Sequence, residues 1–208
     1  MWKLPEKWIV PKEESFYGVK LDIYEHTILE YNYVTPHLKQ FRTAIDIGAH
    51  IGSTSVRYAK DFETVHSFEP VYTEELEQNT NHLQNIIRHN VALDNENTKK
   101  DMVSLTKNSG RTLIIDKDNP PPKYNQLYTV ETRTLDSYNI SNVDFIKIDT
   151  EDYVLPVLEG GHNTLKNNDP ILQIEVKNSN KRNDVDRFLN ELGYKLYDKF
   201  SVERFYKR

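Results

Sequence analysis

Cysteine is absent from this 208-residue chain, which removes disulfide frameworks, thiol nucleophiles and cysteine-based zinc sites together. A reducing, cytoplasmic setting is the expectation. No apolar run is long enough to span a bilayer, and Met1-Trp2-Lys3-Leu4-Pro5 lacks the apolar core of a signal peptide, so no membrane partner is expected. Positive charge is also in short supply: 27 lysines and arginines stand against 32 aspartates and glutamates, and the basic residues are scattered. A nucleic-acid binder needs a basic footprint that displaces counterions from phosphates, so no nucleic-acid partner is expected. Glycine is scarce too, with seven in the chain, and two of them fall in one loop.

That loop lies in Thr43-Ala44-Ile45-Asp46-Ile47-Gly48-Ala49-His50-Ile51-Gly52-Ser53, followed by Val65-His66-Ser67-Phe68-Glu69-Pro70. The pattern reads as a strand, a glycine loop, a helix start and a second strand ending in an acid, which is a nucleoside-binding half-site. A dinucleotide fingerprint needs a second glycine where His50 stands, so that backbone amides approach a pyrophosphate. Asp46, two residues before Gly48, repels a pyrophosphate and attracts a cation. S-adenosylmethionine (SAM) carries a sulfonium and an ammonium and no phosphate, and suits the loop better than NAD. Glu69 is then placed to accept hydrogen bonds from ribose hydroxyls.

The length fits one α/β domain with an extension. Residues 1–40, aromatic and without a clean period, read as an N-terminal extension that either forms a lid or covers a sheet face. Residues 41–208 read as the catalytic domain. From Ala44 onward strands and helices alternate, which predicts a doubly wound, mainly parallel sheet. A helix is expected from Thr73 to about Gln84, a third strand over Ile86 to Leu93, and an insertion or edge ribbon between Asp94 and Arg133. A strand over Val143 to Asp149 precedes a helix carrying Val154, Leu158, Gly161 and Leu165. Another strand spans Pro170 to Val176, a helix with Val185, Phe188, Leu189 and Leu192 stops at Gly193, and Lys195 to Lys207 closes the sheet as a hairpin.

The series DIGAHIG, SFEP, Asn90-Val91-Ala92-Leu93, Arg133-Thr134-Leu135-Asp136-Ser137, VDFIKIDTED, VLEGG and PILQIEV resembles the FkbM-type family of SAM-dependent methyltransferases. The resemblance runs in the family's order from about Phe41 to Val176. It implies the class I methyltransferase fold, seven strands with the last antiparallel, and O-methylation of a hydroxyl on a saccharide or natural-product-like small acceptor. It also implies that Asp46, Gly48, Ala49 and Gly52 cradle the methionine end of SAM and that Glu69 holds the ribose. Asn90, Val91 and Ala92 would line the adenine slot, with Asp149 near the transferring methyl and Glu151 just beyond. Asp152 stands where the family pattern has glycine, and Val154 where a glutamate is common.

Asp149 and Glu151 are the candidate catalytic acids, with Glu175 behind them and His50 or His162 as outside candidates for proton acceptance. Glu151 has a competing reading as a helix cap. Oxygen-ligand preference makes a divalent ion among Asp149, Glu151 and Glu175 conceivable, but no metal is assigned. The other histidines show no paired metal spacing and read as surface or packing residues. Asp118-Asn119-Pro120-Pro121-Pro122 mimics the Asn-Pro-Pro-aromatic loop of amino methyltransferases, but that loop must follow the fourth strand, where Asp149-Thr150-Glu151-Asp152 stands, and proline replaces the aromatic, so it reads as a turn. Two rival functions stand beside methyl transfer: a SAM-binding protein without transferase activity, suggested by Asp152 and Val154, and an NAD-dependent oxidoreductase.

Overall fold

A computed structural model describes residues 8–11, 27–104, 109–115 and 123–208. Its core is a seven-stranded sheet built from β1 (Thr43–Ile47), β2 (Thr64–Phe68), β3 (Ile86–His89), β8 (Val143–Ile148), β9 (Ile171–Glu175), β10 (Lys195–Phe200) and β11 (Glu203–Lys207). The spatial order is β10-β11-β9-β8-β1-β2-β3. Strands β3, β2, β1, β8 and β9 pair in parallel, and β11 runs antiparallel to both β9 and β10. The expected α/β fold with an antiparallel last strand is therefore present. The order reverses beside β1, so ligand space opens at the carboxyl ends of β1 and β8.

Side chains alternate across each strand, and both faces are covered. Ile45, Ile47, Ile146, Ile148, Leu172 and Ile174 share one core with α3 (Val154–Gly160), α4 (His162–Asn168) and α5 (Ser179–Glu191). On the other face Ala44, Val65, Phe145 and Phe205 pack with α1 (Ser53–Tyr58) and with Tyr31 and Val34. Residues 27–31 are helical, and Tyr31 sits 5.1 Å from Tyr58 and 6.0 Å from Phe145, centroid to centroid. Tyr33 stacks on Phe205 and Phe200. This stretch of the N-terminal region thus covers a sheet face. Residues 8–11 are tied to α2 (Thr73–Thr80), because Asn79 exchanges hydrogen bonds with the Ile9 backbone. Trp2, Phe16, Tyr17, Tyr24, Leu105 and the turn at residues 118–122 lie outside the described residues.

Three elements differ from expectation. The strand read over Ile86 to Leu93 is two strands. Ile86–His89 ends the main sheet, and β4 (Ala92–Leu93) pairs instead with Thr132 and Arg133 of β7 (Gln126–Arg133). A second sheet, in the order β4-β7-β5-β6, also holds β5 (Lys99–Ser104) and β6 (Thr112–Ile114). It accounts for the loose pattern between Asp94 and Arg133. The helix read through Gly161 is two helices, because Gly161 stands at φ −108°, ψ 11°. The helix expected to reach Gln84 stops at Thr80.

Candidate functional site

The loop after β1 is fixed from both sides. Gly48 and Ala49 each donate a backbone hydrogen bond to the Phe68 carbonyl at 3.0 Å, tying the loop to the end of β2. Gly48 adopts φ +82°, and a Cβ there would stand 1.8 Å from the Asp149 carbonyl oxygen. Only glycine has the conformation and the missing atom that let the two loops touch. The Gly48 loop and the end of β8 therefore form a seam, and a cavity of about 520 Å³ opens along it.

One half of that cavity is bounded by Gly48, Ala49, Phe68, Glu69, Val91 and Ala92. Glu69 is 6% exposed and accepts three backbone hydrogen bonds: from His50 at 2.9 Å, Val71 at 2.8 Å and Tyr72 at 3.1 Å. Burial pushes its carboxyl above the usual glutamate value, while those amides pull it back. His50 reaches over to Ser109, with Nε2 and Oγ 2.8 Å apart, and meets the Tyr72 ring edge-on. Among the described residues, no lysine or arginine lines this half. Its donor set fits a cationic nucleoside ligand and lacks the counter-charge a pyrophosphate needs.

The other half follows from strand alternation. Lys147 on β8 and Asp149 just past its end follow the same alternation, Gln173 and Glu175 lie on the matching face of β9, and Glu203 pairs opposite Glu175 on β11. Glu30, from the helical turn above, completes the wall. Lys147 Nζ lies 2.9 Å from Asp149 Oδ2. Lys177 Nζ lies 2.8 Å from Glu151 Oε1 and 3.0 Å from Glu175 Oε2. Gln173 Nε2 donates to Glu30 at 2.9 Å and to Glu203 at 3.1 Å.

Asp149 and Glu175 share a hydrogen bond. Burial opposes the charge on Asp149, but Lys147 and its other partners outweigh that cost and hold its carboxyl below the ordinary aspartate value. Burial and the neighbouring Asp149 push Glu175 up to about 8. The two shifts run in opposite directions, favouring the charged form of Asp149 and the protonated form of Glu175. Carboxylate oxygens of Asp149, Glu151 and Glu175 come within 4.8 Å of one another, and the ammonium groups of Lys147 and Lys177 pair with them.

Of the ten residues proposed from sequence, Gly48, Ala49, Glu69, Val91, Ala92, Asp149 and Glu151 line the cavity. Asp46, Gly52 and Asn90 do not. Asp46 is fully buried behind the wall, where its Oδ2 accepts from Ser55 Oγ at 2.6 Å and Ser55 Oγ accepts from Ser67 at 2.7 Å. Gly52 makes room for α2, since a Cβ would meet Thr80 and Leu76 side chains at 2.8 and 2.9 Å. Asn90 turns outward where the chain leaves the main sheet, and it is exposed. Of the outside candidates, Glu175 and His50 line the cavity, whereas His162 packs edge-on against Phe188.

Glu151 does not cap the next helix, which starts at Val154 behind Tyr153; it pairs with Lys177. Asp152, at φ 66°, accepts from the backbone N–H of Lys177 and Asn178, so the residue standing in for glycine locks the loop after β9. Lys147, Glu30 and Glu203 were not singled out from sequence. The signal for Lys147 was its place two residues before Asp149 in an otherwise apolar strand.

The FkbM methyltransferase domain model matches residues 46–196. A crystal structure of methyltransferase FkbM from Methylobacillus flagellatus KT superposes with TM-score 0.56 at 18% identity, covering 80% of this chain. The chain spans 43% of that protein's length. A ribosomal protein L11 methylase from Lactobacillus delbrueckii subsp. bulgaricus gives TM-score 0.57 at 10% identity, over 96% of this chain and 83% of its own. A precorrin-6y C5,15-methyltransferase from Geobacter metallireducens GS-15 gives 0.51 at 12% identity, over 99% and 92%. Comparison with curated protein sequences finds no match. These likenesses carry the fold, and no helix among the described residues is long and apolar enough to cross a membrane. The domain match extends over most of the chain and takes in the glycine loop, Glu69 and the Asp149 cluster, so the chain belongs to the FkbM methyltransferase family, whose methyl donor is S-adenosylmethionine.

Proposed function

We propose that this protein transfers the SAM methyl group to a hydroxyl oxygen of a small, polar, saccharide-like acceptor. The carrying observation is the position of Asp149. Its backbone carbonyl touches Gly48 in the donor half, and its carboxylate faces the acid-lined half. When bound, SAM supplies an electrophilic methyl carbon: the new O–C bond forms as the C–S bond breaks, and that electron pair stays on sulfur. The protein's share is alignment, exclusion of water and removal of one proton.

In this reading Glu69 holds the ribose, Gly48 and Ala49 border the methionine end, and Val91 and Ala92 border the adenine. The Asp149 carboxylate takes the hydroxyl proton, and Glu175, already protonated, steadies it by hydrogen bonding. Glu30, Glu151, Glu175 and Glu203 surround the acceptor with carboxyl groups. They favour a hydroxylated molecule over a phosphate-rich one, which supports a small acceptor over nucleic acid.

The test is methyl transfer from labelled SAM into fractionated extract, comparing wild type with Asp149→Asn. Alkali-stable label in a glycan or small-molecule fraction, reduced about 100-fold or more by Asp149→Asn, is expected. Alkali-labile label or label in nucleic acid would overturn the acceptor class. SAM binding with no label in any fraction would favour the donor-binding protein without turnover.

A further inference from the structure

A row of polar residues crosses four strands on the sheet face under residues 27–34. The register pairs Ser67 with Asp46, Asp46 with Lys147, and Lys147 with Gln173, and all four are buried. Lys147, 5% exposed, is the row's cation. Around it stand Asp46 from β1, Glu30 from the helical turn above, Gln173 and Glu175 from β9, Glu203 from β11 and Asp149 just past the end of its own strand, with Lys177 beyond Glu175. A buried ammonium costs several kcal/mol unless it is paired and hydrogen-bonded. A salt bridge that served stability alone is easily replaced by apolar residues of like volume. Here the carboxylate facing that ammonium is the one on the seam between the two halves of the cavity.

We propose that Lys147 is a positioning residue for methyl transfer: its buried ammonium holds the Asp149 carboxylate against the seam, aimed at the acceptor hydroxyl. The role rests on the methyl-transfer reading above, although its first readout does not. The bonds support it. Lys147 Nζ donates to Asp149 Oδ2 at 2.9 Å, which anchors one carboxylate oxygen and with it the plane of the group. Burial works against the ammonium, but Asp149, Glu203, Asp46 and Glu30 outweigh it, and Lys147 stays charged across the working pH range. The fixed charge keeps Asp149 an acceptor of protons while Glu175 beside it carries one.

The test is a carboxyl NMR titration of the full chain with ¹³C-labelled aspartate, Asp149 being assigned by its loss in Asp149→Asn. Wild-type Asp149 is expected to titrate below the ordinary aspartate range. In Lys147→Met it moves upward, and Lys147→Arg restores most of the shift. S-adenosylhomocysteine affinity, which reads the donor half and the fold, stays within about threefold in Lys147→Met. Methyl transfer falls at least about tenfold, with the loss steepest on the acid side of the pH profile. A wild-type Asp149 that titrates at or above the ordinary value overturns the proposal without any variant, and so does an unchanged titration in a folded Lys147→Met. Should wild type bind the donor product and transfer no methyl group, the methyl-transfer reading fails while the titration still decides what Lys147 does.

Discussion

At the scale of single residues, two glycines in one loop are expected to respond differently to alanine. Both have positive φ, so each substitution carries about 1–2 kcal/mol for a left-handed alanine. At Gly52 the obstructing atoms are side-chain ends, whereas at Gly48 the obstacle is the Asp149 carbonyl. Gly48→Ala therefore adds about 1–3 kcal/mol of overpacking and spreads the seam. Thermal unfolding and SAM titration together should show Gly52→Ala as a stability loss with donor affinity kept, and Gly48→Ala as a loss of both. Glu69→Gln presents an NH₂ group to backbone donors that now meet a carboxylate oxygen. It should weaken SAM binding by about tenfold or more, near 1.4 kcal/mol, and lower the unfolding midpoint. Binding unchanged in Glu69→Gln would remove Glu69 from the donor site. Gly48, Glu69 and Asp149 were legible because loop chemistry and strand ends concentrate them in sequence. The burial of Asp46 against Ser55 was not legible, because its place in the motif is the same whichever way the side chain is satisfied. Glu30 and Glu203 were illegible, since they join the cluster through Gln173, strand pairing and the field of Lys147, contacts that no local spacing records.

At the scale of elements, the junction of the two sheets rests on Gly160. A Cβ there would lie 1.9 Å from the Asp94 carbonyl oxygen. Asp94 is fully buried, pairs with Lys100 of β5 at 2.6 Å and accepts from Tyr153 at 3.0 Å, so α3, the cavity wall and the second sheet meet at one point. Gly160→Ala should cost about 1–3 kcal/mol and loosen β4, β5 and β7, read as faster amide exchange over residues 92–104 and 126–133. Exchange unchanged there would mean that the two sheets are joined elsewhere. The main strands were legible because each is a short apolar run ending at a loop signal. The split after His89 was not, because Ala92 and Leu93 continue the apolar pattern while their partners, Thr132 and Arg133, lie some forty residues on. Nor was the break at Gly161, where helical spacing of apolar residues persists although the backbone leaves the helical conformation.

For the molecule as a whole, buried titratable groups set opposing pH slopes. Burial first, and neighbouring charge second, lifts Glu175 and Glu203 to about 8. The folded state then binds more protons than the unfolded state between about 4.5 and 8, so their stabilising contribution is present at low pH and is lost as pH rises through that window. The stacked pair His66 and His89 acts the other way. Burial lowers both, His89 to about 4, so stability falls as pH drops from 6.5 toward 4. Between pH 6.5 and 8 the acids act unopposed by the histidines. Denaturant unfolding should show stability declining across that interval, and Glu203→Gln should flatten the decline. A rise in stability from pH 6.5 to 8 would contradict the assignment of raised acids.

The contacts of residues 27–37 also set the timetable of synthesis. Gln173 reaches Glu30 across 143 positions, Tyr197 reaches the Tyr33 carbonyl across 164, and Lys207 reaches His37 across 170. A ribosome releases the early partner of each pair long before the late one. Tyr31 can meet Tyr58 and Phe145 earlier, but Tyr33 lacks its stacking partners Phe200 and Phe205 until the β10–β11 hairpin emerges. Closure of that face is therefore a late, long-range step, slow by the rule that distant pairings fold slowly, and nascent chains stalled before Glu203 should expose this apolar face to chaperones.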